Sequence, residues 1–413
     1  MKYFITALLL LISLNAYSQE TRPELEIVES IPVETDMDNP DIRDAHVVWL
    51  EMINNAKSSL DFEQFYISPE PGEPLDDILK AIDSACLRGV KVRFIIDGNM
   101  YKTYPEVVNK WRAMDTSLPN IPHPEARVLN FGKYAGGIQH AKLFIVDDEQ
   151  IFLGSQNFDW RALKHIHELG IRLKYKEAVA PYKELFELDW QLAGGLDSAT
   201  AKSLVKQKEY SVPFSFISPE NDTVSFKPTF SPKGLIFDST LSDETQILNL
   251  INNSQQEVEL QFLTYSTRTR NKGYYPTIEN ALKSAAARGV RIKMIVADWG
   301  KDHPMVDSLQ ALSKVPNVEL KYSSVPDWSG GYVPFGRVEH CKFIVVDGKS
   351  FWLGTSNCEK SYFYSVRNVG IVVDNIRLAG RLQNIFLKGW TGKYTEPITW
   401  DRTYTPREHG EKK

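Results

Sequence analysis

Residues 140–157 read HAKLFIVDDEQIFLGSQN, and residues 340–357 read HCKFIVVDGKSFWLGTSN. Both obey one pattern: His-x-Lys, four residues, Asp, six residues, Gly, Ser or Thr, any residue, Asn. The apolar run after each lysine predicts a strand, where residues i and i+2 point to one face. His140 and Lys142 then project together, and Ser155 and Asn157 do so on the next strand, once Gly154 lets the chains approach closely. The second copy supplies His340, Lys342, Thr355 and Asn357.

Working outward, the repeat extends beyond the motif. Arg88-Gly89-Val90 returns as Arg288-Gly289-Val290, at the same offset of 200 as the histidines. INNAKSSLDFEQFY from Ile53 returns as INNSQQEVELQFLTY from Ile251. So long a period excludes a solenoid and means two homologous halves. In each half a helix ending in INN leads to a strand, then to an amphipathic helix stopped by glycine, then to a β-branched strand and the motif. The expected fold is α/β: two homologous halves packed about a pseudo-twofold axis, each a mixed sheet flanked by helices, with mainly parallel pairing. The boundaries read as a leader over 1–18, a first half over 19–195, a connection over 196–234 rich in Ser, Pro, Asp and Thr with room for a short hairpin of its own, a second half over 235–400 and a tail over 401–413.

The leader has Lys2, an apolar run from Phe4 to Leu14, and small side chains at Ala16 and Ser18, the marks of a cleavable export signal. The run is too short for a membrane span, and no second one follows, so the mature chain is expected outside the cytoplasm with no transmembrane span. The net charge is −5, and 42% of the residues are hydrophobic, which disfavours a protein that coats long nucleic acid by charge. Of the three cysteines, Cys341 and Cys358 are the obvious partners if a bridge forms, but three buried thiols are the expected state.

Two copies of the motif give two imidazoles, two ammonium groups, two amides and two hydroxyls around one concavity, which suits a single tetrahedral phosphodiester. Lys142 and Lys342 neutralise the non-bridging oxygens, with Asn157, Asn357, Ser155 and Thr355 donating beside them. One histidine attacks phosphorus while the other protonates the leaving oxygen and later activates water. The chemistry needs no metal and no cofactor. Asp147 and Asp347 complete the motif and are expected to brace the turn after the strand. Glu168 lies 28 residues after His140, where the second half has Asn368; a carboxylate there is placed to hold one histidine by its second nitrogen. The pair in KHIH, Lys164 to His167, reads as a solvated helix face rather than a metal site.

At these residues the chain resembles the phospholipase D superfamily, which carries two HxK(x)4D motifs. VESIP at Val28, SSLDFEQFY at Ser58, GSQNFDWRALKHIHELG at Gly154, DWGKDHP at Asp298, RVEHCK at Arg337 and FLKGW at Phe386 resemble its animal branch of phospholipases D three and four, lysosomal 5′-exonucleases of single strands. That branch has an N-terminal span and luminal disulfides, which the leader and three cysteines here replace. The resemblance implies a phosphohistidine mechanism with His140 and His340, and single-stranded nucleic acid as substrate, with Tyr66 and Trp299 (and Phe65) as stacking surfaces. The alternative is a phospholipase D or transphosphatidylase, its Trp328, Tyr332 and Phe335 loop dipping into lipid. A non-catalytic binding protein is disfavoured, because both His-Lys pairs are intact. No protein partner is implied, since one chain supplies both half-sites.

Overall fold

The computed structural model describes residues 23–118, 120–205, 208–269 and 273–411; the leader read at 1–18 lies outside them. The first half runs β1 (Glu24–Ser30), α1 (Ala45–Asn54), β2 (Ser59–Gln64), α2 (Pro74–Leu87), β3 (Lys91–Asp97), β4 (Glu125–Leu129), β5 (Leu143–Val146), β6 (Gln150–Gly154), β7 (Ile166–Lys174) and α3 (Lys176–Ala193). The second runs β8 (Phe214–Ile217), β9 (Thr223–Ser231), α4 (Asp243–Asn253), β10 (Glu257–Phe262), α5 (Thr277–Ala287), β11 (Arg291–Ala297), β12 (Val318–Ser323), β13 (Val338–Glu339), β14 (Phe343–Val346), β15 (Ser350–Gly354), β16 (Asn368–Asp374), α6 (Ile376–Thr391) and β17 (Thr395–Pro397). The main strand orders are β1-β7-β6-β5-β2-β3-β4 and β8-β9-β16-β15-β14-β10-β11-β12-β17.

The α/β architecture with two mixed, helix-flanked sheets agrees with the sequence. The expectation of mainly parallel pairing does not. Within the two main sheets parallel pairing joins β2 to β3, β3 to β4, β10 to β11 and β11 to β12, where long crossovers intervene. The motif strands β5 and β6 are joined by a tight turn and pair antiparallel, as do β6 and β7, because a short connection cannot return a parallel strand. Helix α2 shows how local sequence fixes an element: Pro74 opens it, Asp76 and Asp77 sit in its first turn, and Gly89 closes it at φ +91°.

The connection read at 196–234 is largely ordered structure. It carries a helix at Ser198–Leu204 and the β8–β9 hairpin. Strand β9 runs along β16 from Ser225↔Asp374 to Ser231↔Asn368, as β1 runs along β7. The short hairpin is present, its longer strand alternating buried Val224, Phe226 and Phe230, the period-2 signature of a strand.

One core joins the halves. Leu143, Ile151 and Ile171 of the first sheet share it with Phe343, Phe351 and Ile371 of the second. Separate clusters fill the outer faces under α1 and α2 and under α4 and α5. The two sheets are also stitched by backbone. Strand β13 of the second half pairs parallel with β7 of the first, His167 opposite Glu339. The pseudo-symmetric stitch is the Gln139–Arg367 bridge. Among the described residues no helix is long and apolar enough to cross a membrane.

Candidate active site

The two stitches bring the motif histidines together. His140 donates its backbone N–H to the Arg367 carbonyl, and His340 donates to His167, each at 2.9 Å. The next residue along each of those strands then faces the imidazole from the opposite half. Asn368 Oδ1 lies 3.0 Å from His140 Nδ1. Glu168 Oε1 lies 3.2 Å from His340 Nδ1. The 28-residue register had singled out both residues; the crossing between halves could not be read from it. A Cβ on Gly154 would stand 2.6 Å from the Gly170 Cα, and one on Gly354 would stand 2.9 Å from that of Gly370, so these strands approach as only glycine allows.

The Asn368 network fixes one tautomer. Its Nδ2 faces Ser231 Oγ at 2.9 Å and the carbonyls of Tyr362 at 3.1 Å and Val366 at 3.2 Å. The amide oxygen therefore points at His140, and since it can only accept, the ring nitrogen facing it carries the proton as Nδ1–H. The lone pair of His140 is left on Nε2. His340 has a carboxylate in the same place. The two rings thus occupy equivalent positions with unequal second partners.

Lys142 Nζ donates to the His140 carbonyl at 2.9 Å, and Lys342 does the same for His340. Both lysines are 1% exposed. Burial pushes Lys342 down to about 8 and Lys142 also down, the latter with the Lys342 charge adding to burial. Burial and the two lysines hold both imidazoles below their ordinary value. Burial pushes the Glu168 carboxyl up, against Lys342. The site is a buried, locally cationic pocket with neutral imidazoles, suited to an entering anion.

Asn157 and Asn357 are buried with no hydrogen bond to Oδ1 among the described residues. Ser155 and Thr355 are placed differently from the substrate role read for them. The Leu169 and Val369 amides each donate to these hydroxyls at 3.1 Å, and Thr355 donates to Asn368 Oδ1 at 3.0 Å. They stand behind the rings. Asp147 and Asp347 do not join the pocket. They lie at the far ends of β5 and β14, five residues from the lysines or about 17 Å along a strand. Asp147 accepts from the amides of Lys57, Ser58 and Ser59, and Asp347 accepts from those of Gln255, Gln256 and Glu257, bracing the turns.

Of the aromatic residues read as stacking surfaces, Phe65 stands edge-on to His140 at 5.0 Å, with Lys142 Nζ 5.0 Å from its ring centre. Tyr66 is buried, donates to Asp159 at 2.7 Å and stacks on Tyr104 at 4.9 Å. Trp299 is set apart: it packs with Ile166, Leu263 and Val338, and His409 of the C-terminal tail covers it at 4.8 Å. Tyr362, which the sequence reading missed, flanks His140 at 5.3 Å. It lies in a short helix, Lys360–Tyr364, after the second motif, and the equivalent position of the first half holds Ala162, so the repeat offered no signal. The KHIH segment is not a solvated helix face. His167 lies in β7, and both His165 and His167 are buried, because the parallel stitch to β13 covers this end of the strand. All three cysteines are buried and free.

The chain matches the family profile described as cardiolipin synthase, PLD-like domain, twice, over residues 49–190 and 247–390. Phospholipase D Z of Dictyostelium discoideum is 28% identical over 396 residues, covering 91% of both chains. The 5′-3′ exonuclease PLD3 of Xenopus laevis is 29% identical over 408 residues, covering 89% of this chain and 80% of the relative. The crystal structure of phosphatidylserine synthase from Haemophilus influenzae Rd KW20 shares the fold with a TM-score of 0.62 at 15% identity, over 87% of each chain.

Proposed function

This chain belongs to the phospholipase D superfamily and is a phosphodiesterase, and from that premise we propose that it degrades single-stranded nucleic acid from a free 5′ end through a phosphohistidine intermediate. The observation that carries the substrate is the pair of aromatic rings about His140: Phe65 at 5.0 Å and Tyr362 at 5.3 Å, aromatic surface beside the reacting position that favours a base next to the scissile phosphate. The relative named as a 5′-3′ exonuclease supports the same reading. The net charge of −5 leaves no broad basic track for duplex, while a single terminal phosphate needs only the local charge of Lys142 and Lys342.

His140 is the nucleophile: its tautomer, fixed by Asn368, presents the Nε2 lone pair to phosphorus. His340, with Glu168 behind it to favour the imidazolium, gives its proton to the leaving oxygen and then takes one from water. The lysines and the asparagine amides hold the oxygens throughout, and no metal enters the step. The leader at 1–18 makes it an exported enzyme, which the N-terminal mass of the protein recovered from its native host checks.

The lipid alternative has a named relative behind it, but its membrane-dipping loop is held down. Trp328 packs on His165 at 4.8 Å, and Ser329 Oγ donates to Glu34 at 2.6 Å. The deciding assay sets 5′-labelled single strands, duplex and phosphatidylcholine vesicles against equal enzyme. We expect stepwise loss of nucleotides from single strands; fast choline release with the strands intact would replace this reading with the lipase. Phosphate trapped on His140 in the His340→Ala variant checks the roles, and an adduct on His340 in His140→Ala, with none on His140 in His340→Ala, would reverse them.

A further inference from the structure

We propose that His167, Glu339 and Cys341 form a zinc site in the seam between the two halves, separate from the catalytic pocket. The stitch between β7 and β13 builds it. His167 and Glu339 are register partners across that stitch, and Cys341 lies two residues beyond Glu339. Side chains alternate along strands, so the same backbone offers two faces: Glu168 and His340 turn toward the catalytic pocket, and His167, Glu339 and Cys341 turn away from it. One nitrogen, one carboxylate oxygen and one sulfur of this trio all lie within 4.8 Å of one another, each on a buried residue.

Mixed nitrogen, oxygen and thiolate donors select a borderline cation that accepts four ligands in a tetrahedron, which is the preference of Zn²⁺. Charge points the same way. A thiolate and a carboxylate together cancel a dication, leaving a neutral cluster in a seam where an isolated charge is costly. On binding, the Cys341 thiol releases its proton to solvent, and the proton on His167 Nδ1 moves to Nε2, so that a neutral imidazole ligates through Nδ1. The 2.8 Å hydrogen bond between His167 Nδ1 and Glu339 Oε2 is replaced by bonds from both atoms to the metal.

Two further observations separate this trio from ordinary buried polar groups. Glu339 Oε1 has no hydrogen-bond partner among the described residues, although the residue is 2% exposed, and a cavity of about 100 Å³ is lined by His167 together with Met37, Lys388 and Tyr394. The pseudo-symmetric seam has the opposite character. There Arg367 takes the place of His167, Gln139 that of Glu339 and Ala141 that of Cys341. The guanidinium is matched by Asp189 at 2.6 Å and by the carbonyls of Ser231 at 3.0 Å and Leu235 at 2.9 Å. In the zinc seam the trio's own bonds, His167 Nδ1 to Glu339 Oε2 at 2.8 Å and Cys341 Sγ to the His167 carbonyl at 3.5 Å, leave Glu339 Oε1 without a partner among the described residues.

The test uses the full chain without an affinity tag, equilibrated with Zn²⁺ and freed of excess by gel filtration. We expect one zinc per chain, and X-ray absorption at the zinc edge showing a single sulfur among nitrogen and oxygen neighbours. Cobalt-loaded protein should show a thiolate-to-metal band that Cys341→Ser removes and that Cys86→Ser and Cys358→Ser retain. His167→Ala and Glu339→Gln should each weaken Zn²⁺ by at least about 100-fold, beyond the range typical for losing an outer partner. The absorption edge needs no variant, so the proposal stays testable if Cys341→Ser fails to fold. Less than about a tenth of a zinc per chain, an edge without sulfur, or a cobalt band that survives in folded Cys341→Ser overturns it.

Discussion

Replacing Glu168 by glutamine keeps the shape of a fully buried side chain and removes only its capacity for charge. At the observed 3.2 Å, an imidazolium and a carboxylate attract by about 5 kcal/mol if the effective dielectric constant is about 20. A glutamine amide in its place offers at most a neutral hydrogen bond of about 1 kcal/mol. Some of the difference is offset by the burial that already pushes the Glu168 carboxyl up, so about 3–4 kcal/mol remains at most. Every 1.36 kcal/mol is tenfold in rate, and kcat should fall by about 10²–10³. KM should move little, because Glu168 reaches substrate only through His340. Substrates with a nitrophenolate leaving group make the test sharper. That group departs without a proton, so formation of the intermediate survives, while its hydrolysis still needs His340 as base. Glu168→Gln should therefore show a burst of one nitrophenolate per chain followed by a slow phase. A kcat within about threefold of the parent with an unchanged melting temperature, or slow turnover with no burst, would refute the assignment of His340 as the acid and base.

Burial and the lysines depress His140, so its neutral form persists below the ordinary histidine value, and the acid limb of kcat/KM should fall below about pH 6.5. Asn368→Asp puts a carboxylate 3.0 Å from that ring and should move the limb upward by about one unit or more; a limb that stays in place would show that His140 does not set it. Asp147→Ala removes a carboxylate that accepts from three backbone amides, so unfolding by urea should show a loss of about 2 kcal/mol with kcat kept; a selective loss of kcat would place Asp147 in the chemistry. Chelation by EDTA should leave turnover intact in the parent and in Cys341→Ser, and a loss seen in both that Mg²⁺ or Zn²⁺ restores would defeat metal-free catalysis.

What was legible in the sequence is what period and repetition encode. The two motif copies gave the duplication, and strand alternation put His140 with Lys142 and His340 with Lys342. Gly154 and Gly354 marked the close approach of strands. The same logic failed wherever the deciding neighbour came from the other half. Alternation says that Glu168 and His167 lie on opposite faces of β7; it does not say that β13 lies beside them. Only the stitch of His167 to Glu339 assigns Glu168 to His340 rather than to the histidine of its own half. Trp299 fails for a related reason: its exposure depended on where the tail would lie, and His409 covers it. KHIH read as a solvated helix because nothing local buries it, whereas His167 is enclosed by a partner 172 residues away in sequence. The unequal environments of the two catalytic rings and the proposed zinc site therefore share one origin. Both follow from a duplicated chain pairing its halves edge to edge, so a substitution that loosens the β7–β13 stitch should disturb His340 while leaving His140, held by the Gln139–Arg367 bridge, largely in place.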